Sequence, residues 1–146
     1  MVYVDTSVIV KLYFREELSR EASNWLKRNN EAIPLTRFHE LEFTNAIQLK
    51  QFRSEITEDE TLRINTRFKE HENKGIFYRP QLDWSEIFNN AVDLSKKHTA
   101  IIGARSLDIL HIASALSIKA EKFLTVDGRQ TEVATLAGLK IVDMFR

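Results

Sequence analysis

The sequence predicts an α/β protein: a three-layer α/β/α sandwich with a parallel sheet of about five strands. Short apolar runs, of which Val2–Val4 is the first, alternate along the chain with longer segments of helical periodicity. Strands of a parallel sheet are covered on both faces, so they form continuous apolar runs instead of alternating apolar and polar residues. This alternation of strands and helices favours a parallel sheet between two helical layers.

Capping residues set the elements in the first half of the chain. Ser7 begins a short helix, and Thr36 is placed to cap a long one. Thr57 with Glu60 has the spacing of a capping box, and Gly75 ends the helix that follows. The predicted elements are strand 2–4, a helix from residue 7, helix 19–29, strand 32–35, helix 37–53, helix 58–73 and strand 76–79.

Turn and capping signals divide the second half in the same way. Asp83 or Ser85 opens a helix that we expect to end near residue 97, with a short loop through residue 103. Ser106 is the expected cap of the next helix, and Asp127 with Gly128 is typical of a turn. The predicted elements are a helix to residue 97, helix 107–119, strand 123–126, helix 130–137 and strand 140–142.

Composition limits the class of protein. A chain of 146 residues predicts a single domain over residues 1–146, large enough to bury a core. Cysteine is absent, which excludes disulfides and thiolate metal sites and fits a reducing cytoplasm. The N-terminus lacks the features of a signal peptide, and no segment approaches the ~20 apolar residues of a membrane span. We therefore expect a cytoplasmic protein with no membrane partner.

The charge balance excludes nucleic-acid binding through a strong overall positive field, because Lys+Arg and Asp+Glu both number 21. Any such binding must use a local patch. One candidate patch is diluted by neighbouring acids, and a solvated pair of helices with mixed charges is the preferred explanation for it. Its basic residues are Lys50, Arg53, Arg63, Arg67 and Lys69.

Four acidic residues lie where a parallel α/β sheet would hold a catalytic acid. Asp5 and Asp127 each follow an apolar strand, and ligands bind beyond the carboxyl ends of such strands. Glu42 and Asp108 lie on helical segments that also carry apolar residues. Carboxylates gathered at one place repel one another, so the arrangement is costly unless a cation lies between them. Oxygen ligands without cysteine favour Mg²⁺ or Mn²⁺ over Zn²⁺, and the sequence predicts such a site.

Each acid also has a simpler explanation when it is taken alone. Asp5 at a strand–helix junction is typical of a helix cap, and Asp127 before Gly128 is typical of a turn. Glu42 suits an exposed helix face, and Asp108 would gain about 0.3–1 kcal/mol in the first turn of a helix. The prediction of a site therefore rests on the four acids together.

Other chemistries have less support. His111, one turn after Asp108, is interpreted as a buried, hydrogen-bonded packing residue and not as a ligand. Thr6 and Ser7 have no nearby base of the Ser–His–Asp kind, which disfavours nucleophilic catalysis. Ser7 also stands where an Asp-x-Asp phosphatase has its second acid. With four glycines the chain has no glycine-rich phosphate loop.

Four segments carry these acids in a recognisable order: residues 2–14, 35–46, 105–116 and 123–130. Together they resemble the motifs of the PIN-domain family, and within it the VapC-type toxins of toxin–antitoxin systems. The segment Arg-Ser-Leu-Asp-Ile-Leu-His around Asp108 is the most specific of the four.

The resemblance implies a PIN-like fold and a metal-dependent endoribonuclease that hydrolyses RNA with Mg²⁺, or Mn²⁺ in its place, and a water nucleophile. One or two ions would bind the scissile phosphate, and the products would carry 5′-phosphate and 3′-hydroxyl ends. A catalytically silent PIN module that binds RNA or protein is the alternative. The implied catalytic and metal-binding residues are Asp5, Glu42, Asp108 and Asp127, with Thr6, Ser7, Asn45 and Thr125 in support and Lys11 and Arg129 as phosphate contacts.

The resemblance also implies three partners: the RNA substrate, a cognate antitoxin protein and a second copy of the chain in a homodimer. An acidic pocket invites an Arg or Lys of an inhibitor to take the position of the metal. Apolar residues of the early helices are candidates for a groove that binds an amphipathic helix, and equally for core. They are Leu12, Phe14, Trp25, Leu62 and Phe68.

Overall fold

The computed structural model describes all of residues 1–146 and contains seven helices and five strands. No helix has both the length and the apolar character needed to span a membrane. In chain order the elements are β1 (Val2–Val4), α1 (Thr6–Lys11), α2 (Ser19–Arg28), β2 (Ile33–Pro34), α3 (Arg37–Phe52), α4 (Glu58–Asn73), β3 (Phe77–Tyr78), α5 (Trp84–Ile102), α6 (Ser106–Ser117), β4 (Lys122–Leu124), α7 (Gly128–Leu136) and β5 (Lys140–Ile141).

The chain divides into two compact units. Unit 1 consists of Met1–Asp5 and Pro80–Asp143, and unit 2 consists of Thr6–Arg79 and Met144–Arg146. The strands of each unit are parallel, in the orders β1-β4-β5 and β2-β3. The α/β class with parallel strands is thus confirmed, and hydrogen bonds group the five strands as three and two.

Unit 1 is built on the ladder between β1 and β4. Tyr3 lies opposite Phe123, and their rings stack with centroids 5.6 Å apart and no exposure to solvent. Such an aromatic pair contributes about 0.5–1.5 kcal/mol beyond the burial of its area. Helix α6 packs against both α5 and α7. Its residues 108–115 are all buried, as expected of a helix that is apolar almost all round.

Unit 2 is built on helices α1–α4 and the pair β2–β3. An aromatic cluster fills its core: Phe43 and Phe68 stack with centroids 4.2 Å apart, and Tyr13 meets both rings edge-on. The Tyr13 hydroxyl lies 2.6 Å from Nδ1 of His71, and burial raises the pKa of that hydroxyl. The early helices of this unit are therefore held by ring packing around one buried phenol.

The apolar residues considered for a partner groove separate into two groups. Leu12, Trp25 and Phe68 are buried in the core. Leu62 is 65% exposed on α4, and Phe14 is half-buried. The interpretation as core is therefore correct for three of the five.

Two helix caps in unit 2 match the sequence prediction. The Thr57 hydroxyl accepts from the Glu60 amide, and the Glu60 carboxylate accepts from the Thr57 amide, so the predicted capping box is present. Thr36 caps α3 and accepts from the amide of His39. Each cap contributes about 1 kcal/mol. Since Thr36 fixes the start of α3, it also fixes the position of Glu42 one and a half turns later.

Three predicted boundaries in unit 1 are wrong. Helix α5 continues to Ile102, because nothing before Gly103 supplies a left-handed residue; Gly103 has φ of 73° and ends the helix. Ser106 is the first residue of α6 and not its cap, which lies at Arg105. Asp127 is itself the cap of α7, so this helix begins at Gly128 and not at residue 130.

Candidate active site

Asp5 lies at the carboxyl end of β1, as the sequence predicts. Its amide donates to the carbonyl of Leu124 at 2.8 Å, which continues the β1–β4 ladder by one residue. Parallel strands end at the same edge of their sheet, and so Thr125 lies beside Asp5. The Thr125 hydroxyl donates to Oδ2 of Asp5 at 3.4 Å. Thr125, predicted as a supporting residue, therefore contacts one of the four predicted acids.

The second oxygen of Asp5 faces His111. Nε2 of His111 lies 3.3 Å from Oδ1 of Asp5, and Nδ1 lies 2.9 Å from the Tyr3 hydroxyl. All three side chains are buried. His111 is thus a buried, hydrogen-bonded residue, as predicted, and its partner is one of the four acids.

Asp108 is buried in the first turn of α6 and accepts hydrogen bonds at both oxygens. Oδ2 accepts from the Arg105 amide at 3.1 Å and from its Nε at 2.9 Å. Oδ1 accepts from Nε2 of Gln130 at 2.9 Å and from Nη2 of Arg105 at 3.3 Å. Burial by itself would raise the pKa of Asp108, but the hydrogen bonds from Arg105 and Gln130 outweigh it and hold the pKa below its usual range.

Asp127 uses its two oxygens differently. Oδ1 accepts from the amides of Arg129 and Gln130 at 2.8 and 3.0 Å and so caps α7. Oδ2 lies 3.7 Å from Nη2 of Arg105. The Asp127 amide donates to the Thr125 hydroxyl at 3.1 Å. One oxygen therefore caps a helix where the sequence predicts a turn, while the other faces the guanidinium that also binds Asp108.

Arg105 is the positive charge that these acids share within unit 1. Its guanidinium contacts Asp108 directly and Asp127 at longer range, and its side chain is 70% exposed. The hydrogen bond and charge of Asp108 raise the pKa of Arg105 further, with smaller contributions from Asp127 and Asp5. Sequence reasoning did not assign this residue, although its position three residues before Asp108 on a helix is a spacing at which opposite charges meet.

Glu42 lies in unit 2, on α3. Its Oε1 accepts a hydrogen bond of 2.7 Å from the hydroxyl of Thr6, the residue that follows Asp5 in the chain. Ser7 and Asn45 are exposed on α1 and α3. Unit 1 thus brings Asp5, Asp108 and Asp127 around one cluster of hydrogen bonds, and unit 2 pairs Glu42 with the predicted supporting residue Thr6.

The two predicted phosphate contacts have different surroundings. Nζ of Lys11 donates to Oε1 of Glu16 at 3.0 Å, and only 12% of the Lys11 side chain is exposed. Arg129 is exposed at the start of α7, where Nη1 donates to the carbonyl of Gly103 at 3.3 Å. Lys11 is committed to an ion pair inside unit 2, whereas Arg129 presents its charge at the surface of unit 1.

Gln130 is the second residue that sequence reasoning did not assign. It stands three residues after the cap Asp127, which is the spacing of a capping box. In such a box its side chain would return to the amide of Asp127, but here it turns to Asp108. The spacing was therefore visible in the sequence, and the destination of the side chain was not.

The donor chemistry of unit 1 fits a hard divalent cation. No group of three Asp, Glu or His side chains within either unit is already arranged to hold a metal ion. The available ligands are carboxylate oxygens, which Mg²⁺ and Mn²⁺ prefer. One buried oxygen, Oε1 of Gln130, has no hydrogen-bond partner beside them. A cation would replace the guanidinium of Arg105 as the neutralising charge.

Comparison with known proteins identifies the family of the chain. The family model of the PIN domain matches residues 2–136. The crystal structure of FitAcB from Neisseria gonorrhoeae superposes with a TM-score of 0.68 at 14% sequence identity and covers 100% of this chain and 99% of that chain. No curated protein matches the sequence significantly. The match to the family extends over most of the chain, and the protein belongs to the PIN-domain family.

Proposed function

We propose that this PIN-domain protein is a metal-dependent endoribonuclease, and that it acts as the VapC-type toxin of a toxin–antitoxin pair in the cytoplasm. One observation carries the proposal: Asp108 and Asp127 share the guanidinium of Arg105, and the Thr125 hydroxyl links Asp127 to Asp5. A fold that collects carboxylates needs a cation to balance them, and phosphate chemistry is the common use of such a cation. We further propose that residues 1–146 act as a single PIN domain.

The acids of unit 1 would have different roles, because their surroundings differ. Asp5 is held at both oxygens, by His111 and Thr125, and so presents its carboxylate in one orientation. Burial disfavours the charge of Asp108, but hydrogen bonds from Arg105 and Gln130 outweigh burial and hold its pKa below the usual range, so it stays ionised. When bound, Mg²⁺, or Mn²⁺ in its place, would neutralise the scissile phosphate and lower the pKa of the attacking water. Fixed carboxylates are suitable ligands because they lose little freedom on binding.

Unit 2 carries the second acidic segment of the family resemblance, residues 35–46. Glu42 is proposed as the fourth acid, and its hydrogen bond with Thr6 would hold the carboxylate in place. Ser7 and Asn45 are proposed as polar supports, because both are exposed. Arg129 and Lys11 are proposed as phosphate contacts, and the exposure of Arg129 makes it the stronger candidate.

We propose three partners for the active protein. RNA is the substrate, a second copy of the chain forms a homodimer, and a cognate antitoxin restrains the nuclease in the cell. Arg105 gives the physical reason for the mode of inhibition, since a guanidinium already neutralises Asp108. An Arg from an inhibitor would do the same for the remaining carboxylates.

The decisive experiment changes one charge. Asp108→Asn keeps the size of the side chain and removes its charge, and we expect RNA cleavage in Mg²⁺ to fall by at least about a hundredfold. Asp93→Asn makes the same chemical change at an exposed position of α5 and should leave the rate unchanged. Folding of both proteins is checked by circular dichroism. An Asp108→Asn protein that is folded and cleaves at the wild-type rate would falsify the proposed role.

The partner is tested separately. Copurification of the chain with the product of the adjacent gene, followed by the same cleavage assay, should give a stable complex with little activity. A complex that cleaves as fast as the free protein would exclude inhibition at the active site. A chain that elutes as a monomer at assay concentration would exclude the homodimer.

A further inference from the structure

Gln130 has a buried side-chain amide whose nitrogen contacts one of the site acids and whose oxygen has no hydrogen-bond partner in the protein. The residue is 3% exposed, and Nε2 donates to Oδ1 of Asp108 at 2.9 Å. An ionised carboxylate only accepts hydrogen bonds, so the nitrogen of the amide must face Asp108. The oxygen, Oε1, is therefore fixed as the other end, and it is buried with no partner.

The local backbone explains why Gln130 is directed into the site. At the third position of a helix, a Gln side chain commonly returns to the amide of the cap. Here the amide of Asp127 is already taken by the Thr125 hydroxyl at 3.1 Å. The amide of Gln130 itself donates to Oδ1 of Asp127 at 3.0 Å. Gln130 thus contacts Asp127 through its backbone and Asp108 through its side chain.

A buried acceptor without a donor is unfavourable, and native proteins keep few of them. A Gln needed only to donate to Asp108 would gain nothing from its buried oxygen. An oxygen that gains a donor only when a ligand binds would destabilise the empty protein in the same way. The hydrogen bond formed on binding would then offset that loss of stability. The oxygen therefore requires a donor from outside the protein chain, and a donor that arrives with a ligand meets this requirement.

We infer that Gln130 is a positioning residue of the acid site: its Nε2 orients Asp108, and its Oε1 accepts a hydrogen bond from a water of the cation's hydration shell. The inference rests on the proposed function. Mg²⁺ keeps several of its waters when it binds to proteins, so such a donor accompanies the ion. Groups that orient metal ligands in this way commonly change metal affinity or activity by roughly 10- to 100-fold when they are removed.

The test compares Gln130→Met with wild-type protein by three measurements: thermal unfolding without metal, Mn²⁺ affinity from a titration, and the kcat and KM of RNA cleavage. Met keeps the length and removes both polar atoms. We expect an unfolding temperature close to that of wild type, because the lost hydrogen bond to Asp108 and the removal of the unpartnered oxygen act in opposite directions. We also expect Mn²⁺ affinity weaker by roughly 10-fold, and a lower kcat at unchanged KM. Gln48→Met, on the exposed face of α3, is the matched control and should change none of them.

The opposite pattern overturns the inference. A lower unfolding temperature with unchanged Mn²⁺ affinity and kcat would make Gln130 a structural residue only. If Gln130→Met does not fold, Gln130→Glu decides the question. A carboxylate facing the site should lower the unfolding temperature without metal, through repulsion from Asp108, and should strengthen Mn²⁺ binding. Unchanged or weaker Mn²⁺ binding in that variant would also overturn the inference.

The outcomes separate this inference from the proposed function. Wild-type protein that binds Mn²⁺ in a Gln130-dependent manner but cleaves no RNA would refute the ribonuclease and keep the positioning role. Wild-type protein that cleaves RNA with Mn²⁺, and is matched by Gln130→Met in every measurement, would refute the positioning role alone.

Discussion

His111 binds Asp5 through Nε2, at 3.3 Å from Oδ1, while its other ring nitrogen lies 2.9 Å from the Tyr3 hydroxyl. Because a carboxylate only accepts, Nε2 donates to Asp5, and the Tyr3 hydroxyl contacts the other ring nitrogen. The strand residue Tyr3 thereby holds in place the ring that binds a strand-end acid two residues later. Groups of this kind restrict the orientation of a potential metal ligand.

The first prediction concerns this chain of hydrogen bonds. Tyr3→Phe removes one hydroxyl and keeps the ring stacked on Phe123, so the loss should be that of one buried hydrogen bond, about 1 kcal/mol in the free energy of unfolding. Urea unfolding measures it. Tyr78→Phe, on β3 at the surface, should change stability by less than about 0.5 kcal/mol. Equal effects of the two substitutions on the free energy of unfolding would show that the buried Tyr3 hydroxyl contributes no more stability than a surface hydroxyl.

The second prediction concerns acid unfolding. Hydrogen bonds with Arg105 and Gln130 outweigh burial and lower the pKa of Asp108. A carboxyl with a lowered pKa in the folded state contributes stability above its unfolded pKa, and this contribution is lost as the pH falls through the folded value. Arg105→Gln raises the folded pKa toward the ordinary value of 3.8. Stability at neutral pH should therefore fall, and acid unfolding should begin at a higher pH.

This shift can be followed by circular dichroism between about pH 7 and about pH 2 in fixed urea. Arg129→Gln makes the same change in net charge at an exposed position where the guanidinium donates to the carbonyl of Gly103, so it is the control. If the two variants give the same acid midpoint, the pairing of Arg105 with Asp108 has no part in acid stability.

The third prediction concerns competition for the acids. Because the guanidinium of Arg105 neutralises Asp108, an incoming cation must break that ion pair. We expect Arg105→Gln to bind Mn²⁺ about fivefold more tightly than wild type, which corresponds to the ~1 kcal/mol of a partly exposed ion pair. The saturating thermal shift is the measurement, and it should be larger with Mn²⁺ than with Ca²⁺.

A variant designed to lose metal binding changes both Asp5 and Asp108 to Asn. It should show no metal-dependent rise in unfolding temperature. A shift that persists in this double variant would place the ion elsewhere. A wild-type shift equal to that of Arg105→Gln would exclude the competition.

The fourth prediction concerns phosphate binding. Arg129 is exposed, whereas Lys11 is held by Glu16 with 12% of its side chain accessible. A contact with one phosphate contributes about one unit to the slope of log binding constant against log salt concentration. Arg129→Gln should reduce that slope by about one for a short RNA, and Lys11→Gln by less. Binding is measured with Asp108→Asn protein, which does not consume the RNA. If Lys11→Gln reduces the slope more than Arg129→Gln does, Lys11 and not Arg129 is the stronger phosphate contact.

The positions of the acids could be predicted because they depend on local signals. Asp5 follows three apolar residues that can only be a buried strand, and parallel pairing then sets Thr125 beside it. The capping box of Thr57 and Glu60 is local in the same sense, and both partners were identified correctly. Signals of this kind need no knowledge of the tertiary structure.

The partners of the acids could not be predicted, because their contacts join distant parts of the chain. Tyr3 and His111 are separated by 108 residues, and Gln130 and Asp108 by 22. Arg105 is local, but Ser106 offers a stronger capping signal at the same place and led to the wrong cap. The end of α5 was misplaced for a related reason: helical propensity weakens after residue 97, while the backbone continues until a glycine permits a left-handed turn.

The exposed guanidinium of Arg105 has a consequence for the life of the protein in the cell. A chain whose acids are balanced by its own side chain can fold and persist when divalent ions are scarce. Under the proposed function, the metal-free and metal-bound forms would differ by the rotation of one surface side chain, and refolding would not be required. Magnesium supply would govern how fast such a protein works, and the amount of folded protein would stay the same.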